Sequence, residues 1–221
     1  MLFFIKNTIF LMFLFGAFFG KFALESCGRP CRFKSCQRHQ NKRTVMQLFI
    51  SFSARKDGNS DEIAKYLCKE GDKIIFFRDL NISSCKNCNY ECFSDYCKYH
   101  NDGIYSLYDS FKNYEKVVLI VPMYCGNPSS LYFIFNERCQ DFFIHNEAEY
   151  EDILKRLYII GIYGNKEQTP DFIPCLEKCF NCTEYTNHVL GLERHKYNLK
   201  LQDNILDVPE LKKQIDGFMK N

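Results

Sequence analysis

One short segment combines hydroxyl groups, a glycine and a helix start in an order that suits an anion. Residues 53–60 read Ser-Ala-Arg-Lys-Asp-Gly-Asn-Ser and follow an apolar run, QLFISF. Ser53 and Ser60 can donate hydroxyl hydrogen bonds, and Gly58 lets the backbone approach a ligand closely. Unpaired N–H groups at a helix start attract negative groups. An ordinary capped helix start, with Asn59 or Ser60 as the N-cap, is the alternative explanation.

Four cysteines form a second group of residues that could do chemistry. Cys85, Cys88, Cys92 and Cys97 have the spacing C-x2-C-x3-C-x4-C. Thiolates that lie this close together in sequence can hold an iron–sulfur cluster or a tetrahedral zinc ion. A cysteine-rich loop that binds no metal explains the same spacing. The residues alone leave these three alternatives open.

The elements that must position these groups alternate between strand and helix. Short apolar runs predict five strands, at residues 47–52, 73–77, 116–121, 157–162 and 186–192. Apolar residues at helical spacing predict helices, at residues 59–70, 103–114, 131–143, 170–179 and 208–219. Residues 81–102 have no usable periodicity and predict a long cysteine-rich loop after the second strand. This order predicts an α/β fold with a doubly wound, five-stranded parallel sheet.

Two further loops leave the predicted sheet at the edge where ligands bind in such folds. Residues 121–127 read Val-Pro-Met-Tyr-Cys-Gly-Asn, and we expect Pro122 to end the third strand and Gly126-Asn127 to form a turn. This loop would lay Tyr124 beside a flat ring, although a routine strand-to-helix turn explains it as well. After the fourth strand, the glycines of residues 161–165 would allow a ligand to approach closely.

The composition is that of a globular chain with an unusual first segment. Hydrophobic residues make up 46% of the 221 residues and charged residues 25%, which excludes a disordered chain. Residues 1–45 hold eight Lys or Arg and one acidic residue, which leaves 21 basic and 26 acidic residues in 46–221. This mildly acidic balance argues against nucleic-acid binding. The odd count of thirteen cysteines and the long strands and helices favour a reduced protein over a disulfide framework.

Residues 1–45 are predicted to be separate from the domain at 46–221. The apolar run Thr8–Gly20 is short for a membrane span and close in length to the core of a signal peptide. The basic residues after it would keep the domain on the cytoplasmic side if the run entered a membrane. A translation start at Met46 explains the sequence equally well. We therefore expect a cytoplasmic protein, with membrane contact only through residues 1–24 if they are retained.

The order of the motifs resembles that of a known family. The pattern S-x-R-x-x-G-N-S after a first strand is similar to the phosphate loop of the NADPH-dependent FMN reductase and iron–sulfur flavoprotein family, which has a flavodoxin-like fold. The similarity continues through Cys85-Lys86-Asn87-Cys88, Cys97 with Asn101-Asp102, and residues 121–127, and it ends near Glu137-Arg138. In the iron–sulfur flavoproteins a similar loop holds a [4Fe–4S] cluster, with the third cysteine one residue before the position of Cys92.

The resemblance implies an FMN-binding oxidoreductase whose chemistry is carried by the flavin. It implies that the first loop, residues 53–60, holds the FMN phosphate and that the second loop, residues 121–127, borders the ring. The third loop, residues 161–165, is included in the expected site because of its position and its glycines. The residues expected to bind the cofactor are Ser53, Arg55, Gly58, Asn59, Ser60, Pro122, Met123, Tyr124, Cys125, Gly126, Asn127, Tyr163 and Gly164.

The expected electron donor is NAD(P)H or a redox protein, and the sequence does not specify the acceptor. A homodimer or tetramer is implied by the resemblance. The alternative is a non-enzymatic flavodoxin-type electron carrier, which would bind FMN without oxidising NAD(P)H. Such carriers tend to be strongly acidic, whereas residues 46–221 are only mildly so.

Overall fold

The computed structural model describes residues 46–95, 97–144, 147–180 and 185–220. The predictions made for residues 1–45 lie outside this range. The strands are β1 (Gln47–Ser51), β2 (Lys73–Phe76), β3 (Lys116–Tyr124), β4 (Asn127–Pro128), β5 (Leu157–Tyr163) and β6 (Val189–Glu193). The α-helices are α1 (Asn59–Leu67), α2 (Ile104–Ser110), α3 (Ser130–Ile144), α4 (Glu147–Arg156), α5 (Phe172–Glu177) and α6 (Pro209–Phe218). None of the helices in the described residues is both long and apolar enough to cross a membrane.

Five strands form a parallel sheet in the order β2-β1-β3-β5-β6, and the two-residue β4 pairs antiparallel with the end of β3. The central strand β3 is fully buried from Val117 to Val121, as expected for a strand covered on both faces. This strand order is that of the flavodoxin-like fold. The predicted fold class is therefore confirmed.

The alternation of side chains along β1 divides the core into two clusters. Leu48 and Ile50 face the side that packs against α2 and α3, where aromatic rings are abundant. Phe49 faces the opposite side and packs with Ile63 of α1 and Ile215 of α6. Successive side chains of a strand point to opposite faces, so one apolar run supplies both clusters. The helices thus cover both faces and leave the carboxyl edge of the sheet open for a site.

The prediction that Pro122 ends the third strand is wrong, because β3 continues to Tyr124. The N–H of Phe52 donates to the carbonyl of Ile120, so the backbone groups of residue 120, and of residue 122 two positions on, point toward β1. Beyond this point β3 pairs with β5 at Val121 and Pro122 and with β4 at Met123 and Tyr124, so the strand continues although β1 has ended at Ser51. The longer strand carries Tyr124 to the open edge of the sheet.

Other elements differ from their predicted bounds for reasons of tertiary packing. Residues Thr186–His188, predicted as strand, form a 3-10 turn before β6. His188 is buried, its Nδ1 lies 2.9 Å from the carbonyl oxygen of Leu157, and its ring stacks on Tyr158. Helix α4 was not predicted, since its buried residues are only Ile153 and Leu154 at its end. Two apolar positions are too few for a helical periodicity to be read.

Candidate functional site

A cavity of about 820 Å³ opens at the carboxyl edge of the sheet. Four segments form its wall, at residues 53–62, 122–124, 162–164 and 194–204. Parallel strands all end at the same edge, so loops that are distant in sequence meet there. The predicted cofactor residues that line this cavity are Ser53, Arg55, Gly58, Asn59, Ser60, Pro122, Met123, Tyr124, Tyr163 and Gly164.

Helix α1 begins at this cavity without a side-chain cap. Gly58 is its N-cap residue, and the Gly58 carbonyl accepts hydrogen bonds from the N–H groups of Asp61 and Glu62. The N–H groups of Gly58, Asn59 and Ser60 donate to no acceptor in the described part of the chain. The Ser60 hydroxyl also makes no hydrogen bond to a described residue, although Ser60 lines the cavity. Unused donors at a helix start form a ready anion site.

A buried ion pair holds the predicted phosphate loop (residues 53–60) in shape. The Asp61 carboxylate accepts two hydrogen bonds from Arg78, at 2.9 and 2.8 Å, and one from the N–H of Asp57 at 2.9 Å. Arg78 Nη1 also donates to the carbonyl of Ser53 at 3.1 Å. The Ser53 hydroxyl donates to the Arg55 carbonyl at 2.9 Å, so its hydrogen is used within the loop. Charge-assisted bonds of this kind fix the loop before any ligand binds.

The second loop brings a tyrosine to the phosphate loop and then reverses direction. The Tyr124 hydroxyl lies 3.4 Å from the Ser53 hydroxyl, and the Arg55 guanidinium lies 5.7 Å from the Tyr124 ring centroid. Cys125 and Gly126 have positive φ angles of 49° and 80° and form the turn. The turn lies one residue before the predicted Gly126-Asn127, because Asn127 belongs to β4.

Three of the predicted cofactor residues shape this turn without lining the cavity. They are Cys125, Gly126 and Asn127. The turn returns the chain as β4, in which Asn127 pairs with Tyr124. These three residues therefore form the turn that follows Tyr124.

The third loop closes one side of the cavity. Tyr163 is buried, and a side chain at Gly164 would begin 3.8 Å from both Met123 Cε and His195 Nε2. Burial, and then the charge of Glu193, raises the pKa of Tyr163. The close approach that Gly161 allows is to a helix and not to a ligand, since a Cβ there would lie 2.7 Å from Leu176 of α5.

The fourth wall segment was missed by sequence reasoning. Residues 199–204, called the wall segment below, run beside the start of α1. The Asn59 side chain fastens them there, donating to the Asp203 carbonyl at 3.1 Å and accepting from the Ile205 N–H at 2.8 Å. Arg194, directly after β6, lines the cavity next to this segment. The sequence offered one signal for this segment, which is that Arg194 directly follows a predicted strand. Polar residues that follow a parallel strand lie at the edge of the sheet where ligands bind.

The cavity wall carries more positive than negative charge. Its basic side chains are Arg55, Lys56, Arg194 and Lys200. Its acidic side chains are those of Asp57 and Glu62, and both pair with Lys65, at 2.8 and 2.9 Å. Because Lys65 forms ion pairs with both carboxylates, the remaining charge of the wall is positive and favours an anionic ligand.

The cysteine loop is fastened to helix α3 at a place separate from the cavity. The buried Arg138 donates to Asp102 at 2.6 Å and to the carbonyls of Ser83 and Tyr99. The N–H of Cys85 donates to Glu137 at 2.6 Å. These contacts hold both ends of the loop against one helix.

The four cysteines of this loop differ in exposure. Cys88 and Cys97 are buried, Cys92 is half-buried and Cys85 is exposed. Burial raises the pKa of the Cys85 thiol, with smaller contributions from Glu137, Cys88 and Cys97 and opposition from Arg138. Within the described residues, no three His, Cys, Asp or Glu side chains are arranged to hold a metal ion.

Comparisons with known proteins agree with the fold. No protein-family model matches the chain, and no curated protein matches it significantly. A solved Trp repressor binding protein from Bacillus subtilis is 14% identical with a TM-score of 0.53, over 77% of this chain and 98% of that one. A solved FMN-dependent NADH-azoreductase from Bacillus anthracis, in complex with FMN, is 11% identical with a TM-score of 0.52, over 80% and 99%. At such identities the likeness shows a shared flavodoxin-like fold.

Proposed function

We propose that this chain binds FMN in the cavity and is an NAD(P)H-dependent flavin oxidoreductase. The observation that carries the proposal is the convergence of three loops and the uncapped start of α1 on one cavity of about 820 Å³. The family resemblance in the loop sequences supports the same ligand. The solved azoreductase with FMN bound shares the fold, which is compatible with the proposal.

The chemistry of the cavity fits the parts of FMN. The unused N–H groups of Gly58, Asn59 and Ser60, with the Ser60 hydroxyl, would bind the phosphate. Met123, Tyr124, Tyr163 and Gly164 would border the ring, since they supply apolar and aromatic surface on the adjoining wall. When bound, FMN supplies the redox chemistry by taking a hydride from NAD(P)H and passing electrons to an acceptor.

The residues of the chain itself would bind and orient the cofactor. The ion pair of Asp61 with Arg78 keeps the phosphate loop preorganised, so little loop entropy is lost on binding. The buried side chains of Ile162 and Tyr163 would keep water away from one side of the ring. The wall segment, held by Asn59, would cover the phosphate end.

The full-length chain provides the test. Acid release should yield one FMN per chain, and anaerobic mixing with NADPH or NADH should bleach the flavin absorbance. Bleaching by dithionite but by neither nucleotide would instead identify an electron carrier. Folded protein that neither contains nor takes up FMN would remove the proposal altogether.

A [4Fe–4S] cluster on Cys85, Cys88, Cys92 and Cys97 is a separate proposal. Its support is the resemblance, together with the C-x2-C-x3-C-x4-C spacing of the four cysteines. In the arrangement described here the thiols do not form a ligand set. Binding would therefore require the loop to rearrange and the thiols to lose their protons. Zinc and a metal-free loop remain the alternatives.

A homodimer or tetramer is also proposed, on the basis of the resemblance. Tyr90 and Phe93 of the cysteine loop are 67% and 52% exposed, and their rings lie 6.1 Å apart. An exposed aromatic pair of this kind suits a subunit contact. Light scattering of the purified full-length chain gives its mass, and a monomer at all concentrations would contradict this proposal.

A further inference from the structure

Arg194 is a buried guanidinium whose hydrogen-bonding capacity is largely unused. Its side chain lines the cavity, yet the residue is only 8% exposed. Nη1 donates to the carbonyl of Leu201 at 3.4 Å. Nε and Nη2 are buried and meet no acceptor among the described residues. A guanidinium offers five N–H donors, so most of its donors are available.

The charge of Arg194 is incompletely compensated. Burial lowers its pKa, the nearby charge of Arg55 lowers it further, and Asp203 opposes the change. Within the described residues, however, Arg194 forms no ion pair. One oxygen of the Asp203 carboxylate accepts the N–H of Lys200 at 2.7 Å. A buried charge without a partner is costly, which leaves a role for an anion supplied from outside.

The surroundings of Arg194 indicate which end of the cavity it serves. Asn59, the first residue of α1, is bonded to Asp203 and Ile205. Arg194 is bonded to Leu201 in the same wall segment and is affected by the charge of Arg55 in the phosphate loop. The guanidinium and the unused N–H groups of α1 therefore lie toward the same end of the cavity.

We propose that Arg194 is a second anion-binding residue of the cavity, which pairs with the phosphate monoester of the ligand together with the start of α1. This inference rests on the proposed FMN function and extends it, because it names the residue that selects a phosphorylated flavin. Arginine binds phosphate through two parallel N–H bonds, which an ammonium group does not reproduce. Both nitrogens are buried, so binding requires the side chain to rotate toward the cavity that Arg194 lines.

The test compares FMN with riboflavin, which has the same ring and sugar alcohol but no phosphate. The full-length apoprotein is titrated with each flavin, as wild type and as Arg194→Met, Arg194→Lys and Arg156→Met. Arg156→Met is the control, since Arg156 lies outside the cavity and pairs with Asp152. Thermal unfolding of each ligand-free protein reports whether the substitution harms the fold.

We expect Arg194→Met to weaken FMN binding by roughly tenfold to hundredfold, the loss of a hydrogen bond to a charged group. Riboflavin affinity should be unchanged, Arg194→Lys should recover only part of the loss, and Arg156→Met should match wild type. The thermal stability of ligand-free Arg194→Met should equal or exceed that of wild type, because an unpaired buried charge has been removed.

Equal losses for both flavins, or unchanged FMN affinity, would overturn the inference. A lower thermal stability together with equal losses would show that Arg194 serves the fold, through Asp203. If wild type binds neither flavin, the proposed function fails. Thermal unfolding with and without inorganic phosphate, at constant ionic strength, then tests whether Arg194 belongs to an anion site. Stabilisation of wild type but not of Arg194→Met would retain it, and equal or absent stabilisation would reject it.

Discussion

Ser53 and Ser60 have the same side chain at the two ends of the phosphate loop, but different tasks. The Ser53 hydroxyl is used inside the loop, on the backbone of Arg55. The Ser60 hydroxyl lines the cavity and makes no hydrogen bond to a described residue. Ser53 therefore maintains the shape of the loop, whereas Ser60 is available to a ligand.

We expect Ser60→Ala to weaken FMN binding by about 1.5–3 kcal/mol, the contribution of a hydrogen bond to a charged group. Flavin titration of the full-length apoprotein measures the change, and the free energy of unfolding should not fall. Ser106→Ala is the matched control, because Ser106 is exposed on α2 and outside the cavity. Equal affinities of the two variants would place the phosphate elsewhere.

The Asp102 carboxylate fastens the cysteine loop by pairing with Arg138 and accepting from the N–H of Ser83. Burial opposes its ionisation, but hydrogen bonds from Arg138, Ile104 and Ser83 outweigh burial and lower its pKa. A lowered pKa in the folded state contributes stability that is present above the unfolded value of about 3.9 and is lost as pH falls through the folded value. The wild-type protein should therefore lose stability in acid.

Asp102→Asn should lower the free energy of unfolding at neutral pH by about 3–5 kcal/mol, because it leaves Arg138 buried without a carboxylate. The difference from wild type should begin to shrink below about pH 4, where the carboxyl group of the unfolded chain becomes protonated, and should be lost as pH falls through the lowered pKa of the folded state. Urea denaturation at several pH values measures both effects. Asp109→Asn, in an exposed pair with Lys112, should show neither, and a pH-independent difference for Asp102→Asn would contradict the assignment.

At the scale of elements, helix α5 lies against the sheet where two glycines pair. Gly161 of β5 is paired with Gly191 of β6. A Cβ on Gly161 would lie 2.7 Å from Leu176 and 3.0 Å from Phe172, and one on Gly191 would lie 2.9 Å from Ile173. The glycines therefore let the helix pack closely on these two strands, which hold the third loop and Arg194.

Gly161→Ala should destabilise the protein by about 1–3 kcal/mol, as expected for overpacking a buried contact. Gly217→Ala is the opposite case, because Gly217 lies in helix α6 and a Cβ there meets nothing within 4 Å. That change should stabilise by about 0.4–1 kcal/mol. Chemical denaturation of both variants gives the signs, and a neutral Gly161→Ala would show that α5 can move away without loss.

At the scale of the whole molecule, the cavity and the cysteine loop are separate sites. None of Cys85, Cys88, Cys92 and Cys97 lines the cavity. Changes to one site should therefore leave the other intact.

We expect Cys92→Ser to leave the FMN content unchanged, and to remove iron and sulfide if the loop holds a cluster. Anaerobic wild type with a [4Fe–4S] centre should contain about four iron and four sulfide per chain. Metal and sulfide analysis of both proteins, with FMN release as the internal reference, measures this. Iron-free wild type after reconstitution, or zinc in its place, would remove the iron–sulfur proposal without affecting the flavin proposal.

The amino-acid sequence by itself determined the order of the five parallel strands along the chain and the positions of the loops that follow them. Apolar runs such as KVVLIV and the helical spacing of α1 are local patterns, and they report burial directly. The helix start at residues 58–60 was also predictable, because Gly58 and Ser60 lie within a few residues of each other. Ten of the thirteen residues predicted to bind the cofactor line the cavity, because the loops that carry them follow parallel strands that end at one edge of the sheet.

Only the tertiary structure decided which distant residues fasten the loops and complete the wall of the cavity. Asn59 and Ile205 lie 146 positions apart, and no periodic pattern connects them. Arg78 follows β2 and donates to the backbone of Ser53, which lies before α1 in the chain. Arg194 follows the last strand, β6, and lines the cavity. The continuation of β3 through Pro122 depends on its pairing with β5 and β4. These features depend on hydrogen bonds and charges between distant segments, whose partners are set when the sheet brings its strand ends together.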